Sequence, residues 1–172
     1  MKILILGGTL VLGRHIVEAA QTRGHDVTLF NRGQQNPAIF PEAGKLIGDR
    51  DGNLDALEGR RWDAVIDTCG YVPRIVRASA GLLADAVEHY TFISSISVYA
   101  DFGQAGITEA SPVGVLDDVS VEEITTESYG PLKALCEASV EACMPNRVLN
   151  IRPGLIVGPH DPTDRFTYWP ER

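Results

Sequence analysis

Tyr129 and Lys133 stand four residues apart in the run Tyr-Gly-Pro-Leu-Lys, a spacing that puts both side chains on one face of a helix. A tyrosine of ordinary pKa, about 10, is a poor base near neutrality, and a neighbouring ammonium favours its phenolate. The pair therefore suits proton exchange with a substrate hydroxyl. Upstream, Ser94-Ser95-Ile96-Ser97-Val98-Tyr99 ends a strand-like segment and offers hydroxyl donors to a substrate oxygen. A Tyr and a Lys at helical spacing occur on many ordinary helices, so the reading depends on what the rest of the chain builds around them.

Those surroundings begin at residue 1. Lys2–Leu6 is a short apolar run of the kind found in a central parallel strand, and 14–23 reads as a helix with Ile16, Val17, Ala19 and Ala20 on its apolar side. Between them, Gly7-Gly8-Thr9-Leu10-Val11-Leu12-Gly13 forms a glycine-rich turn. Such a turn lets backbone N–H groups and the positive end of a helix dipole approach a pyrophosphate, and the expected ligand is a dinucleotide. The usual fingerprint has three glycines, and Leu10 occupies the middle place.

Strand and helix signals then alternate. Strands are expected at 26–30, 45–47, 64–67, 90–94 and 147–151, with helices at 54–57, 74–87 and 129–143. The pattern predicts an α/β domain, a Rossmann-type doubly wound parallel sheet with its ligand crevice at the carboxyl ends of the strands. Ser128 is the expected N-cap of the last helix, which places Pro131 in the first turn, where a missing N–H is tolerated.

Residues just after strands are therefore the candidates for binding. Asn31 and Arg32 follow the second strand, where an NAD-selective site would place an acid. Arg32 suits a 2′-phosphate through its planar fork, so NADP is preferred over NAD. Asp49 and Arg50 follow the third strand, and Asp49 is either an acceptor for the adenine amino group or a turn-forming Asp. Thr68, Cys69 and Gly70 follow the fourth and come close to a ribose. Cys69 has no base near it in sequence and reads as a small lining residue, not a nucleophile.

Composition bounds the alternatives. The 172 residues are 44% hydrophobic, enough for one sizeable core, and a net charge of −8 argues against nucleic acid and anionic membrane as partners. No apolar run has transmembrane length, and Cys69, Cys136 and Cys143 lack metal-site spacing, which predicts a cytoplasmic protein with reduced thiols and no metal. His160, Asp161 and Asp164 read as a polar loop. Leu132, Cys136, Val140 and Cys143 form a helical stripe expected to be buried or to face another subunit. The acidic stretch 101–127 reads as a long loop at the site mouth.

Taken together, the GGTLVLG turn, the GDR after the third strand, SSISVY, YGPLK and Arg152-Pro153-Gly-Leu-Ile-Val-Gly-Pro159 resemble the short-chain dehydrogenase/reductase superfamily. The likeness is to its extended, atypical NAD(P)-dependent epimerase/dehydratase branch. The resemblance covers nearly the whole chain. It implies that Tyr129 is the acid/base, that Lys133 lowers its pKa and holds the nicotinamide ribose, and that Ser95, four residues before Tyr99, hydrogen-bonds the substrate oxygen. It implies further that the 152–159 segment, with Arg152 and Pro153, closes over the cofactor, and that the 129–143 helix pairs with its copy in a homodimer. The partners so implied are a dinucleotide and a secondary alcohol or ketone of sugar-like character. Extended members are longer, so 1–158 is expected to be the dinucleotide domain and 159–172 the start of a truncated substrate domain. A non-catalytic dinucleotide-binding role, in redox sensing or as a scaffold, is the competing expectation.

Overall fold

The computed structural model describes residues 1–103 and 105–163. Six strands, β1 (Lys2–Leu6), β2 (Asp26–Asn31), β3 (Gly44–Ile47), β4 (Trp62–Asp67), β5 (Val87–Ile93) and β6 (Val148–Ile151), form one sheet. All pairings are parallel, in the order β3-β2-β1-β4-β5-β6. The helices are α1 (Val11–Thr22), α2 (Pro73–Leu83) and α3 (Tyr129–Cys143), with single 3₁₀ turns at Asp55–Leu57 and Ile96–Val98. The Rossmann-type sheet expected from the alternation is the one observed.

Strand β1 shows why the sheet is covered on both sides. Leu4 and Leu6 point into a core built with Phe30, Val65, Phe92, and the buried sides of α2 and α3, including Val76, Ala80, Cys136 and Val140. Ile3 and Ile5 point the other way, onto Val17 and Ala20 of α1 and Val27 and Leu29 of β2. Alternate residues of a strand face opposite sides, so an unbroken apolar run requires two covered faces. Each such side chain contributes about 1.5–3 kcal/mol through burial.

The strand order reverses between β1 and β4, with β2 on one side of β1 and β4 on the other. Leu6 is in register with both Phe30 and Asp67, so Gly7, Asn31 and Thr68 leave the sheet at one level. That shared exit is the crevice expected of a doubly wound sheet.

The expected helix at 54–57 is a single 3₁₀ turn, and the boundaries of α1 and α2 differ from expectation. Helix α1 begins at Val11, not Arg14: Leu10 is extended (φ −121°, ψ 150°), Val11 has a φ of +23°, and helical hydrogen bonding starts with Arg14 N to Leu10 O. Helix α2 ends at Leu83, and Val87–Ile93 forms β5, which starts three residues before the expected strand. Short apolar runs satisfy helical and strand periodicity alike. Helix α3 matches its expected span, with Leu132, Cys136 and Val140 buried in the core.

Candidate active site

A cavity of about 1010 Å³ opens at the carboxyl ends of the strands, walled by residues 7–13, 31–35, 48–51, 68–69 and 93–95 together with Tyr129 and Lys133. It gathers Gly7, Gly8, Thr9, Leu10, Val11, Leu12, Gly13, Asn31, Arg32, Asp49, Arg50, Thr68, Cys69, Ser95, Tyr129, Lys133 and Pro153 from the sequence candidates. Gly70 and Arg152 are outside its wall.

The glycine turn is shaped by backbone clearance. Gly7 and Gly8 have φ of +99° and +88°, where a side chain is strained, and a Cβ at Gly13 would stand 2.9 Å from Gly8 Cα. Leu10 needs no such freedom: its extended φ admits any residue, and the side chain is 55% exposed. The missing middle glycine is therefore not required at Leu10; the positive φ of this part of the turn (+23°) falls on Val11. Among the described residues, the amides of Val11, Leu12 and Gly13 donate to no backbone carbonyl, as the first turn of a helix requires. These amides, the close backbone and the cavity in front of them fit a pyrophosphate.

Two asparagines hold that turn. Asn31 donates from Nδ2 to Gly7 O (2.9 Å) and accepts at Oδ1 from Gly33 N (2.8 Å), so its amide is a clip within the wall. Asn36, which sequence reading passed over, donates to Thr9 O at 3.1 Å. Thr68 Oγ1 donates to Leu6 O at 2.8 Å, joining the ends of β4 and β1. Arg32 is exposed on the rim, and among the described residues its guanidinium makes no hydrogen bond or ion pair.

Asp49 accepts from Asp51 N at 3.0 Å, the bond of a turn-forming Asp, while still bordering the cavity. Arg50 turns inward instead. Its Nη1 and Nη2 donate to Asp67 Oδ1 and Oδ2, both at 2.8 Å, and Nη2 donates to Ser79 Oγ at 2.7 Å. Asp67 also accepts from Tyr90 Oη at 2.8 Å and from Cys69 N at 3.1 Å. Burial works against the charge of Arg50, but the Asp67 carboxylate beside it holds the guanidinium above its usual pKa. Sequence reading had placed Arg50 among ligand contacts and missed Asp67. A bidentate pair between residues 17 apart leaves no local sequence signal. Burial pushes the Cys69 thiol up, against nucleophilic use.

Lys133 is 3% exposed, and its Nζ donates to Gly70 O (2.6 Å) and Ile93 O (2.7 Å) while lying 4.2 Å from the Phe92 ring centroid. Gly70 thus enters the site as an anchor for Lys133. Burial lowers the pKa of Lys133. An ammonium has three donors, so two carbonyls leave one N–H for a ligand. The Tyr129 ring lies one helical turn before, 6.4 Å from the Tyr71 ring. Ser95 caps the 3₁₀ turn, accepting from Ser97 N at 3.1 Å and donating to Ser97 Oγ at 3.0 Å. Both serines face the cavity. Gly130 brings α3 against this turn, since any side chain there would collide with the Ser97 carbonyl oxygen.

Ser128 precedes α3 as expected but does not cap it with its hydroxyl. Its backbone is helical (φ −84°, ψ −24°), and Oγ accepts from Thr125 N at 2.8 Å and donates to Glu123 O at 2.6 Å. Arg152 is held by Glu137, with Nη2 2.7 Å from Oε2, and stacks 4.9 Å from the Tyr99 ring centroid. The 153–156 part of the following segment does border the cavity, and His15 of α1 meets Pro159 O at 3.1 Å. No group of three or more potential metal ligands occurs among the described residues, and Asp164 lies outside them. No described helix is long and apolar enough to cross a membrane.

The same fold recurs in solved structures. UDP-galactose 4-epimerase superposes with a TM-score of 0.70 at 20% identity, over 88% of this chain and 55% of its own. The Bordetella bronchiseptica enzyme WbmH, solved in complex with NAD+, gives 0.76 at 17% identity over 94% and 58%. The dTDP-glucose 4,6-dehydratase of Bacillus anthracis, solved with NAD, gives 0.70 at 16% identity over 93% and 56%. The fold is that of their Rossmann part. The chain spans little more than half the length of these structures. No family model matches the chain, and no curated protein matches it in sequence.

Proposed function

We propose that this chain is the dinucleotide-binding part of an NAD(P)-dependent oxidoreductase or epimerase acting on a secondary alcohol or ketone of sugar-like character. The observation that carries the reading is the convergence of the Gly7–Gly13 turn, Ser95, Tyr129 and Lys133 on one cavity at the carboxyl ends of β1, β4 and β5. A bound nicotinamide supplies hydride acceptance and donation. The free amides of Val11–Gly13 hold its pyrophosphate, and the remaining N–H of Lys133 is available to a ribose hydroxyl. Tyr129 Oη exchanges a proton with the substrate hydroxyl, and the Ser95–Ser97 hydroxyl pair donates to the same oxygen. The NAD-bound neighbours support the cofactor class. The unpartnered Arg32 on the rim supports NADP as the preferred form.

Calorimetric titration with NADP and NAD tests this reading directly. Both bind, NADP more tightly, and Arg32→Ala removes the difference while leaving NAD affinity unchanged. Binding of neither dinucleotide defeats the proposal, and an unchanged preference in Arg32→Ala defeats the assignment of Arg32. Tyr129→Phe retains dinucleotide affinity, because the hydroxyl removed serves the substrate and not the cofactor. A dimer through α3 belongs to the same proposal, using the exposed Ala138, Glu141 and Ala142, since the Leu132/Cys136/Val140 stripe is in the core.

A further inference from the structure

A second, shallower cavity of about 550 Å³ adjoins the first, and the two share Ser97, Ile124 and Tyr129 as walls. Ile124 is therefore the side chain that faces the two hydroxyl residues at the junction. It is 51% exposed, so burial alone holds it weakly in place. On its C-terminal side the backbone is fixed: Thr125 N donates to Ser128 Oγ, and Tyr129 N donates to Thr125 O at 3.0 Å. On its N-terminal side Glu123 O accepts from Ser128 Oγ at 2.6 Å, but beyond it, among the described residues, no backbone hydrogen bond holds residue 122, and the amides of 122, 123 and 124 donate to nothing.

One side chain supplies the missing restraint. Arg74, in the first turn of α2, donates from Nε and Nη2 to Glu122 Oε1 (2.8 Å) and Oε2 (3.1 Å). Its Nη1 and Nη2 also donate to Asp51 Oδ1 (2.7 Å) and Oδ2 (3.4 Å), and Asp51 is itself part of the cavity wall. A single guanidinium thus joins the loop after β3, the start of α2 and the long loop before α3. The planar fork allows two-oxygen contact with both carboxylates, a geometry that the compact ammonium of a lysine does not reproduce. Hydrogen bonds from Arg74 keep both carboxyls below their usual range, so the three-part contact is fully charged near neutrality.

We propose that Arg74 is a positioning residue for the cavity mouth: through Glu122 it holds Ile124 at the junction opposite Tyr129 and slows release of a dinucleotide from the larger cavity. The inference rests on the dinucleotide reading above, but the tether itself can be judged without any ligand.

The experiment compares the unaltered chain with Arg74→Met, Arg74→Lys and Glu122→Gln. Backbone order at 120–124 is read by 15N heteronuclear NOE, and NADH release by stopped-flow fluorescence. In the unaltered chain the NOE at Ile124 is close to that of α3. It falls in Arg74→Met and Glu122→Gln and is partly restored in Arg74→Lys, and NADH release accelerates in the same order, by about two- to fivefold, the scale of an exposed ion pair. Raising salt lowers the order in the unaltered chain but not in Arg74→Met. A lower melting temperature with unchanged order at 120–124, or reduced order with unchanged NADH release, overturns the proposal. If NADH fails to bind the unaltered chain, the dinucleotide reading is what fails. The NOE comparison then stands alone, and equal order at Ile124 in Arg74→Met overturns the tether.

Discussion

Replacing Arg50 with methionine would leave the Asp67 carboxylate buried with only Tyr90 Oη and Cys69 N as partners. An uncompensated buried charge is costly, so Arg50→Met is expected to lower stability by about 3–5 kcal/mol in urea unfolding. The double variant Arg50→Met/Asp67→Asn removes the orphaned charge while keeping an acceptor for Tyr90, and should recover much of that loss. Equal stability of the single and double variants would overturn the account of an orphaned charge. The type of residue 50 was visible in the sequence, but its direction was not. Arg32 and Arg50 both follow a strand; one is on the rim and the other is folded under the floor beside Ser79. That choice depends on where β4 places Asp67, which no local spacing records. The placement of Tyr129 and Lys133 was legible because helical periodicity fixes it regardless of distant contacts; the end of a strand marked the serine cluster, and the choice of Ser95 within it rested on the resemblance.

At the scale of elements, β1 and α3 were readable to the residue because each has an unambiguous pattern: a doubly buried apolar run before glycine, and a long apolar stripe ending at Met144. The end of α2 was not, since Ala84–Ala86 separates helix from strand without a glycine or proline to mark the change. The long loop before α3 was recognised as a loop, but its attachments were invisible, being made by the side chains of Arg74 in α2 and of Arg152 just after β6. Those attachments give it a pH dependence. The Glu122 and Asp51 carboxyls have folded pKa values depressed by Arg74, so their contribution is fully present above the ordinary carboxylate pKa of about 4 and is lost as pH falls through the lower folded values. The 15N NOE of Ile124 is expected to be flat from neutral pH down to about 5 and to drop only below about 4. A drop centred near pH 6 would point to a histidine instead.

For the molecule as a whole, the strand order separates tasks. Strands β1, β2 and β3 carry the residues proposed for the dinucleotide's phosphates and adenosine, and β4, β5 and α3 carry those proposed for the reacting end. The proposed pairing of subunits is independent of both. Sedimentation velocity is expected to show a dimer that Ala142→Arg dissociates without altering NADH affinity; a monomer at high protein concentration would remove α3 from consideration as a subunit contact. Net charge of −8 keeps such association from being driven by nonspecific attraction.

Gly130 returns the chain to the Ser97 carbonyl, a few atoms from where the polypeptide departed at Val98, and the Tyr99–Val113 bridge ties the outgoing stretch back to the same place. The excursion between them is thus a closed detour whose two ends are fixed independently of its contents. Closing a longer loop costs only about 0.6 kcal/mol per doubling of length. Between Gly114 and Glu122 its length and sequence are therefore free to vary while the serine turn and Tyr129 keep their separation, which makes this part a natural graft site: a segment that could be exchanged to change what the cavity admits without rebuilding the machinery behind it.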